Sequence, residues 1–219
     1  MASSFRDDWV KETRARLTIA NNSTVLKDAD GIDNAILLPL LKFQGMIWPY
    51  SPNITVSHNA MYGEYDLVHN NYPQHYFQKS QPSEIQVDGQ FTAQTDAEAK
   101  YMMAVIHFLR IITKMNFGLN DPNRGTPPPI LNFSAYGNLM FNRVPVVVKN
   151  VAYTLPNDVD YVDVLVDPEL ADVVEWHNRL PTMMTISCTL GIQPSANQMR
   201  AEWNMADFKS GKLVNKGYI

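Results

Sequence analysis

Residues 144–155, VPVVVKNVAYTL, constrain the fold more than any other stretch. Valine dominates the run, and Lys149 is its only charge. β-Branched side chains suit the pleated, half-buried surface of a sheet. A strand this apolar and this poorly blunted is an aggregation template unless it is paired. The chain must therefore build a sheet around it. In that sheet the run is either a central strand of the monomer or an edge paired in an assembly.

Other segments supply neighbours for it. In EIQVDGQFTAQ, Ile85, Val87, Gly89 and Phe91 fall on one face and Glu84, Gln86, Asp88 and Gln90 on the other, the mark of a half-buried strand. LKFQGMIWPY reads as a strand that stops at Pro49, and NITVS as a short strand or extended link. ILNFSAY, VDYVDVLVD and TMMTISCTLGIQPS alternate and continue the series. EYDLVHNNYPQHYFQKSQPS, rich in Tyr, Asn, Gln and His, reads as irregular or edge-strand structure.

One helix is signed at both ends. Thr95 and Glu98 form a capping box, and Asp96 suits the positive end of the helix dipole. Lys114 in a last turn and Gly118 just past it predict the stop. Tyr101, Met102, Ala104, Val105, Phe108, Leu109, Ile112 and Met115 make a broad apolar face, with His107 opposite as a surface or interface residue. Several strands and one good helix predict a mainly β domain, a compact barrel or sandwich with the helix packed on it. That domain spans residues 36–219. Residues 1–35 are polar and mixed and read as an arm, with a short helix over Asp8–Leu17 and Trp9, Val10 and Leu17 as its anchors.

RGTPPPILNFSAYGNLMFNRVPVVV, with Gly125 and Gly137, raises the question of a phosphate loop. Such loops run from a strand straight into a helix N-terminus. Here Gly125 leads to Thr126, three prolines and a strand. Proline has no N–H to offer a phosphate, so the segment reads as a stiff brace. Pro145 suits a strand start or edge.

Composition excludes several classes. The net charge of −4 is not that of a basic nucleic-acid binder, and an apolar share of 45% is globular. The single cysteine, Cys188, makes no internal disulfide and no metal framework, and it reads as a small buried side chain. His58, His69, His75, His107 and His177 show neither HExxH nor paired metal spacing, and no GxSxG is present. Two carboxylates that meet only in space would escape this reading. The expectation is a protein without catalytic, metal or cofactor residues. The start shows no signal-peptide core, and no apolar run approaches the ~20 residues of a membrane helix, so synthesis and folding in a cytoplasm are expected.

Five ordered pieces carry a family resemblance: GMIWPYSPNITVSHNAMYGEYDLVHNNY, FTAQTDAEAKYMMAVIHFLRIITKMNFG, RGTPPPILNFSAYGNLMFNRVPVVV, YTLPNDVDYV, and the ending from Leu180. Over roughly residues 40–219 the chain resembles the tail-tube-like baseplate proteins of contractile-tailed bacteriophages, of the tube-initiator and tube-cap type. The resemblance implies a tail-tube-like β-sandwich that assembles as a homohexameric ring with an inner β-barrel. It implies a place in the virion tail baseplate, between the central hub, a neighbouring tube-like ring protein and the tail tube protein. Such a ring templates tube assembly and lets genomic DNA pass through its lumen. The bulk tail tube protein is the nearest alternative, and a baseplate-associated lytic enzyme is one of another class. The chain is shorter than the T-even-type members, so their inserted domains are not expected.

Two segments are candidate surfaces within that picture. NDVDYVDVLVDPELADVVEW carries Asp158, Asp160, Asp163, Asp167, Glu169, Asp172 and Glu175 without a Lys or Arg. It is open between a solvated loop, a calcium loop and an interface or lumen surface that repels DNA phosphate. In AEWNMADFKSGKLVNKGYI, Trp203, Phe208 and Tyr218 are candidate anchors on a neighbour, and folding back of residues 200–219 onto their own domain is the alternative.

Overall fold

The computed structural model describes residues 13–19, 25–27, 35–66, 68–81, 84–119, 121, 123–164 and 178–219. Eleven strands and four α-helices are named here in chain order: β1 (Arg16–Ile19), α1 (Leu38–Leu41), β2 (Gly45–Ile47), β3 (Asn53–Val56), β4 (Asn59–Tyr65), β5 (Gln74–Gln81), β6 (Glu84–Thr92), α2 (Asp96–Ile111), β7 (Leu131–Ala135), β8 (Phe141–Thr154), β9 (Tyr161–Val164), β10 (Asn178–Pro181), β11 (Met183–Ile192), α3 (Ala196–Glu202) and α4 (Met205–Lys209). Seven of the strands form one antiparallel sheet in the order β2-β1-β7-β8-β11-β6-β3. β4–β5 and β9–β10 are separate two-stranded hairpins. The fold is mainly β, as expected, but the sheet is open, and the monomer is not a closed barrel.

The run at 144–155 lies in β8, a central strand that serves two partners in turn. Leu131–Ala135 of β7 pair with Val146–Phe141, and Ile192–Thr185 of β11 pair with Val146–Thr154. The β7 ladder stops where Pro127, Pro128 and Pro129 precede it, because none of the three has an N–H to donate. Pro145 sits inside β8 rather than at its start. Its carbonyl accepts from Gln193 N at 2.8 Å, just past the last β11 pair, so its missing donor falls where the β11 ladder has already ended.

The alternation in β6 is realised, with Ile85, Val87, Gly89 and Phe91 inward and Glu84, Gln86, Asp88 and Gln90 outward. Gly89 belongs to the apolar face because the Trp48 ring lies on it. A Cβ there would stand 2.2 Å from Trp48 Cδ1. α2 covers the core with Met102, Val105, Phe108, Leu109 and Ile112, each at most 1% exposed. The Tyr101 hydroxyl clasps the end strand β2 through both backbone groups of Ile47, accepting from its N at 2.7 Å and donating to its O at 2.8 Å. Among the described residues no helix is long and apolar enough to cross a membrane.

Four expectations need correction. Residues 16–19 are not part of an arm but a strand between β2 and β7, because Leu17 is fully buried there. This also removes the end of the helix expected over Asp8–Leu17, whose first residues, with Trp9 and Val10, lie outside the described residues. The strand expected across LKFQGMIWPY is only β2. Pro39, near the start of a short helix, lets Leu38–Leu41 coil first, and Gln44 and Gly45 turn the chain at φ 50° and 152°. α2 stops at Ile111 rather than near Lys114, with Thr113 Oγ1 bonding back to the carbonyls of Leu109 (3.2 Å) and Arg110 (3.0 Å). Met115 is accordingly half-exposed in the loop and not on the helix face.

Candidate functional site

The most unusual surface is the β4–β5 hairpin. Its strands pair from Asn59↔Gln81 to Tyr65↔Gln74, with a bulge between Met61 and Tyr62. Cross-strand register places Tyr62 beside Phe77 on one face, their rings 5.8 Å apart edge to face. The next pair points the other way: Tyr76 folds over Gly63 and meets Tyr65 at 4.5 Å. Both faces thus carry an aromatic pair, and neither faces the core. Tyr62 is 59%, Tyr65 54% and Phe77 57% exposed. Glu64 and His75 add a solvent-exposed pair at 3.5 Å. A two-stranded hairpin alone is marginal in water, and a two-faced aromatic one has no core of its own to bury. From sequence it reads only as irregular or edge-strand structure, because aromatics on both faces erase the period-2 pattern.

A second feature follows from the stagger of β8. Among the described residues, each half of the strand has one side without a paired strand. On the β11 side of Phe141–Pro145, the C-terminal segment fills the gap. Gln193 bonds Pro145, and Gly217 lies so close to Arg143 O that an added Cβ would be 2.9 Å from it. On the β7 side beyond Val146, the described residues supply no paired strand. There a groove of about 250 Å³ runs between β8 and α2, lined by Ile106, Leu109, Arg110, Lys149, Val151 and Tyr153, among others. Arg110, one of the lining residues, donates to Tyr153 Oη at 2.6 Å.

The candidate residues named from sequence are placed as follows. Asp158 and Asp160 are exposed in the turn before β9, with Asp160 O accepting from Thr182 N at 2.8 Å. Asp163 is bonded to Arg179 Nε at 2.8 Å across the β9–β10 ladder, so that end of the acidic stretch is locally neutralised. Asp167, Glu169, Asp172 and Glu175 lie outside the described residues, as does His177. Trp203 and Phe208 are each 40% exposed at the ends of α3 and in α4. Tyr218 is not a free anchor: its hydroxyl donates to Gln198 O at 3.2 Å, Leu213 is buried, and Ile219 packs on the core. The C-terminal segment folds back on its own domain because it must cover the open side of β8. The Thr95–Glu98 capping box is present in both directions and orients α2.

Chemistry at the remaining titratable groups is muted. Among the described residues no cluster of three His, Cys, Asp or Glu could hold a metal ion. Burial, helped slightly by Asp88, pushes the Cys188 thiol from 9.0 up to about 12. Burial likewise pushes Tyr101 from 10.0 up to about 12, against smaller opposing effects of the Ile47 bond and Arg14. Both groups keep their protons in the folded chain, while the unfolded chain releases them above their ordinary values. Their contribution to stability is therefore intact below pH 9.0 and lost as pH rises towards about 12. The urea midpoint should fall steadily across that window. A thiol reagent at pH 8 should label Cys188 only when urea is added, and full labelling of the folded chain would refute this placement.

No family model matches the chain, and no curated protein matches it.

Proposed function

We propose that the chain is a non-enzymatic assembly subunit, a tube-initiator or tube-cap type ring of a contractile phage tail. On this reading six copies surround a lumen wide enough for the genome, between the baseplate hub and the tail tube. The observation that carries it is the β4–β5 hairpin. Four aromatic side chains on two faces, all outside the core, fit a segment that is completed by another subunit. The ordered likeness of the sequence over residues 40–219 supplies the kind of assembly, and the open sheet supplies a fold that a ring can close.

Copy number in purified tail particles tests this, by quantitative mass spectrometry against a standard. One ring gives about six copies, and two stacked rings about twelve. Hundreds of copies would identify the bulk tail tube subunit instead. Absence from particles would reject the structural reading.

A further inference from the structure

We infer that the groove between α2 and β8 binds a small organic monoanion, a single carboxylate on a short apolar body, with Arg110 as the partner of the charge. The inference goes beyond the assembly reading and does not depend on it. Three observations carry it.

First, the walls are preformed. Among the lining residues, Leu109 belongs to the core, and Ile106 and Val151 pack against it. Thr113 also lines the groove, and its hydroxyl is tied to the carbonyls of Leu109 and Arg110. Small-molecule sites are clefts of this kind, mostly apolar with a few placed polar groups. At about 250 Å³ the groove exceeds the roughly 150 Å³ cavity that takes benzene and falls short of the roughly 300 Å³ at which drug-sized sites begin. It suits one ring, or a short chain, with a small headgroup.

Second, the lining sets the sign of the ligand. Arg110 and Lys149 both line the groove, and no acid is among its described lining residues. A cationic ligand would meet two like charges. A wholly apolar one would take water from the guanidinium and return no hydrogen bond, which is costly. An anion with an apolar body satisfies both parts of the wall.

Third, the two cations are held differently. Lys149 runs past Gly191, where an added Cβ would stand 2.7 Å from its Cε, and its ammonium meets Glu84 Oε1 at 2.7 Å. A carboxylate therefore already answers that charge. Arg110 donates to a neutral oxygen, Tyr153 Oη at 2.6 Å, and its guanidinium carbon lies 5.4 Å from the centre of the same ring. A phenol fixes the guanidinium without cancelling its charge. An Arg fixed beforehand costs less to order on binding, and its planar fork of donors matches a carboxylate. The groove thus offers one cation for one anionic group.

The test titrates 3-phenylpropionate at neutral pH into the full chain, labelled at the methyl groups of Ile, Leu and Val, and follows the shifts by NMR. Saturable shifts at Ile106, Leu109 and Val151 are expected, with a dissociation constant below about 1 mM. The neutral analogue 3-phenylpropanol should bind at least about tenfold more weakly, because it forms no charge-assisted pair with Arg110. Arg110→Met keeps an apolar stem and removes the charge. It should weaken 3-phenylpropionate at least about tenfold, with little change in melting temperature because Arg110 is exposed. Lys149→Met should alter the affinity by less than about threefold, since the ammonium is already paired at the surface. No saturable shift at the three methyl positions would overturn the inference. So would equal binding of the alcohol, or binding that survives in Arg110→Met and is lost in Lys149→Met. The peptide Ac-Ala-Ala-Phe carries the same carboxylate on the end of a chain. If it binds at least about tenfold more tightly than 3-phenylpropionate, the groove takes a protein terminus and the small-acid assignment fails.

Discussion

Gly45→Ala is expected to cost at least about 3 kcal/mol of folding stability, enough to unfold a marginal domain. An added Cβ would lie 2.1 Å from Leu17 O and 2.8 Å from Thr18 Cα. Both are backbone atoms of the paired strand β1, so no rotamer change relieves the clash. The φ of 152° adds strain for any residue with a side chain. Retreat of β2 from β1 would also expose Leu17 and Met46, both fully buried. Urea unfolding monitored by tryptophan fluorescence reads the change as a lower midpoint at similar slope. Gly125→Ala is the control. It too has a positive φ, 91°, but nothing lies within 4 Å, and it should cost about 1 kcal/mol. Equal stability of the two variants would mean that β1 and β2 do not pair in this register.

Phe108→Ala should cost roughly 3–5 kcal/mol. Phe108 is fully buried in the last turn of α2, on an inner face it shares with Val105, Leu109 and the C-cap residue Ile112. Truncation leaves a void that the sheet and helix cannot both close. Arg110→Ala, two residues on, loses an exposed bond to Tyr153 and a cation–π contact with the same ring, and should stay within about 1 kcal/mol. A small effect of Phe108→Ala in the same urea assay would show that α2 is not the cover of this core.

Much of the sheet was legible because alternation and burial agree there. β6 and β11 read directly, since every second residue is buried between α2 and the solvent face. The α2 start was equally plain, because Thr95 and Glu98 act through bonds only three residues apart. Leu17 was misread because its strand is short and set among polar residues. Its partners Phe133 and Met46 are far away in sequence, and long-range pairing overrode the local texture. Of the candidate surfaces, the acidic stretch was named from sequence with Asp163 in it, but Arg179, which neutralises Asp163, was not. It comes from the next strand of the hairpin, across a segment with no local clue to register. The β4–β5 hairpin was legible only as irregular or edge-strand structure for a related reason. Its pairing is a property of topology, and only the order of strands reveals it.

The three prolines before β7 have a consequence for geometry as well as for bonding. Where they stand decides how far the β7 ladder runs along β8, and so where β8 passes from β7 on one side to β11 on the other. Each residue by which that boundary moved would shift the hand-over by about 3.4 Å along a twisted strand. Such a shift would also turn β11 relative to β7, since each strand inherits the twist of its neighbour. A local motif of three residues thereby acts as the ruler for the offset between the two halves of the sheet.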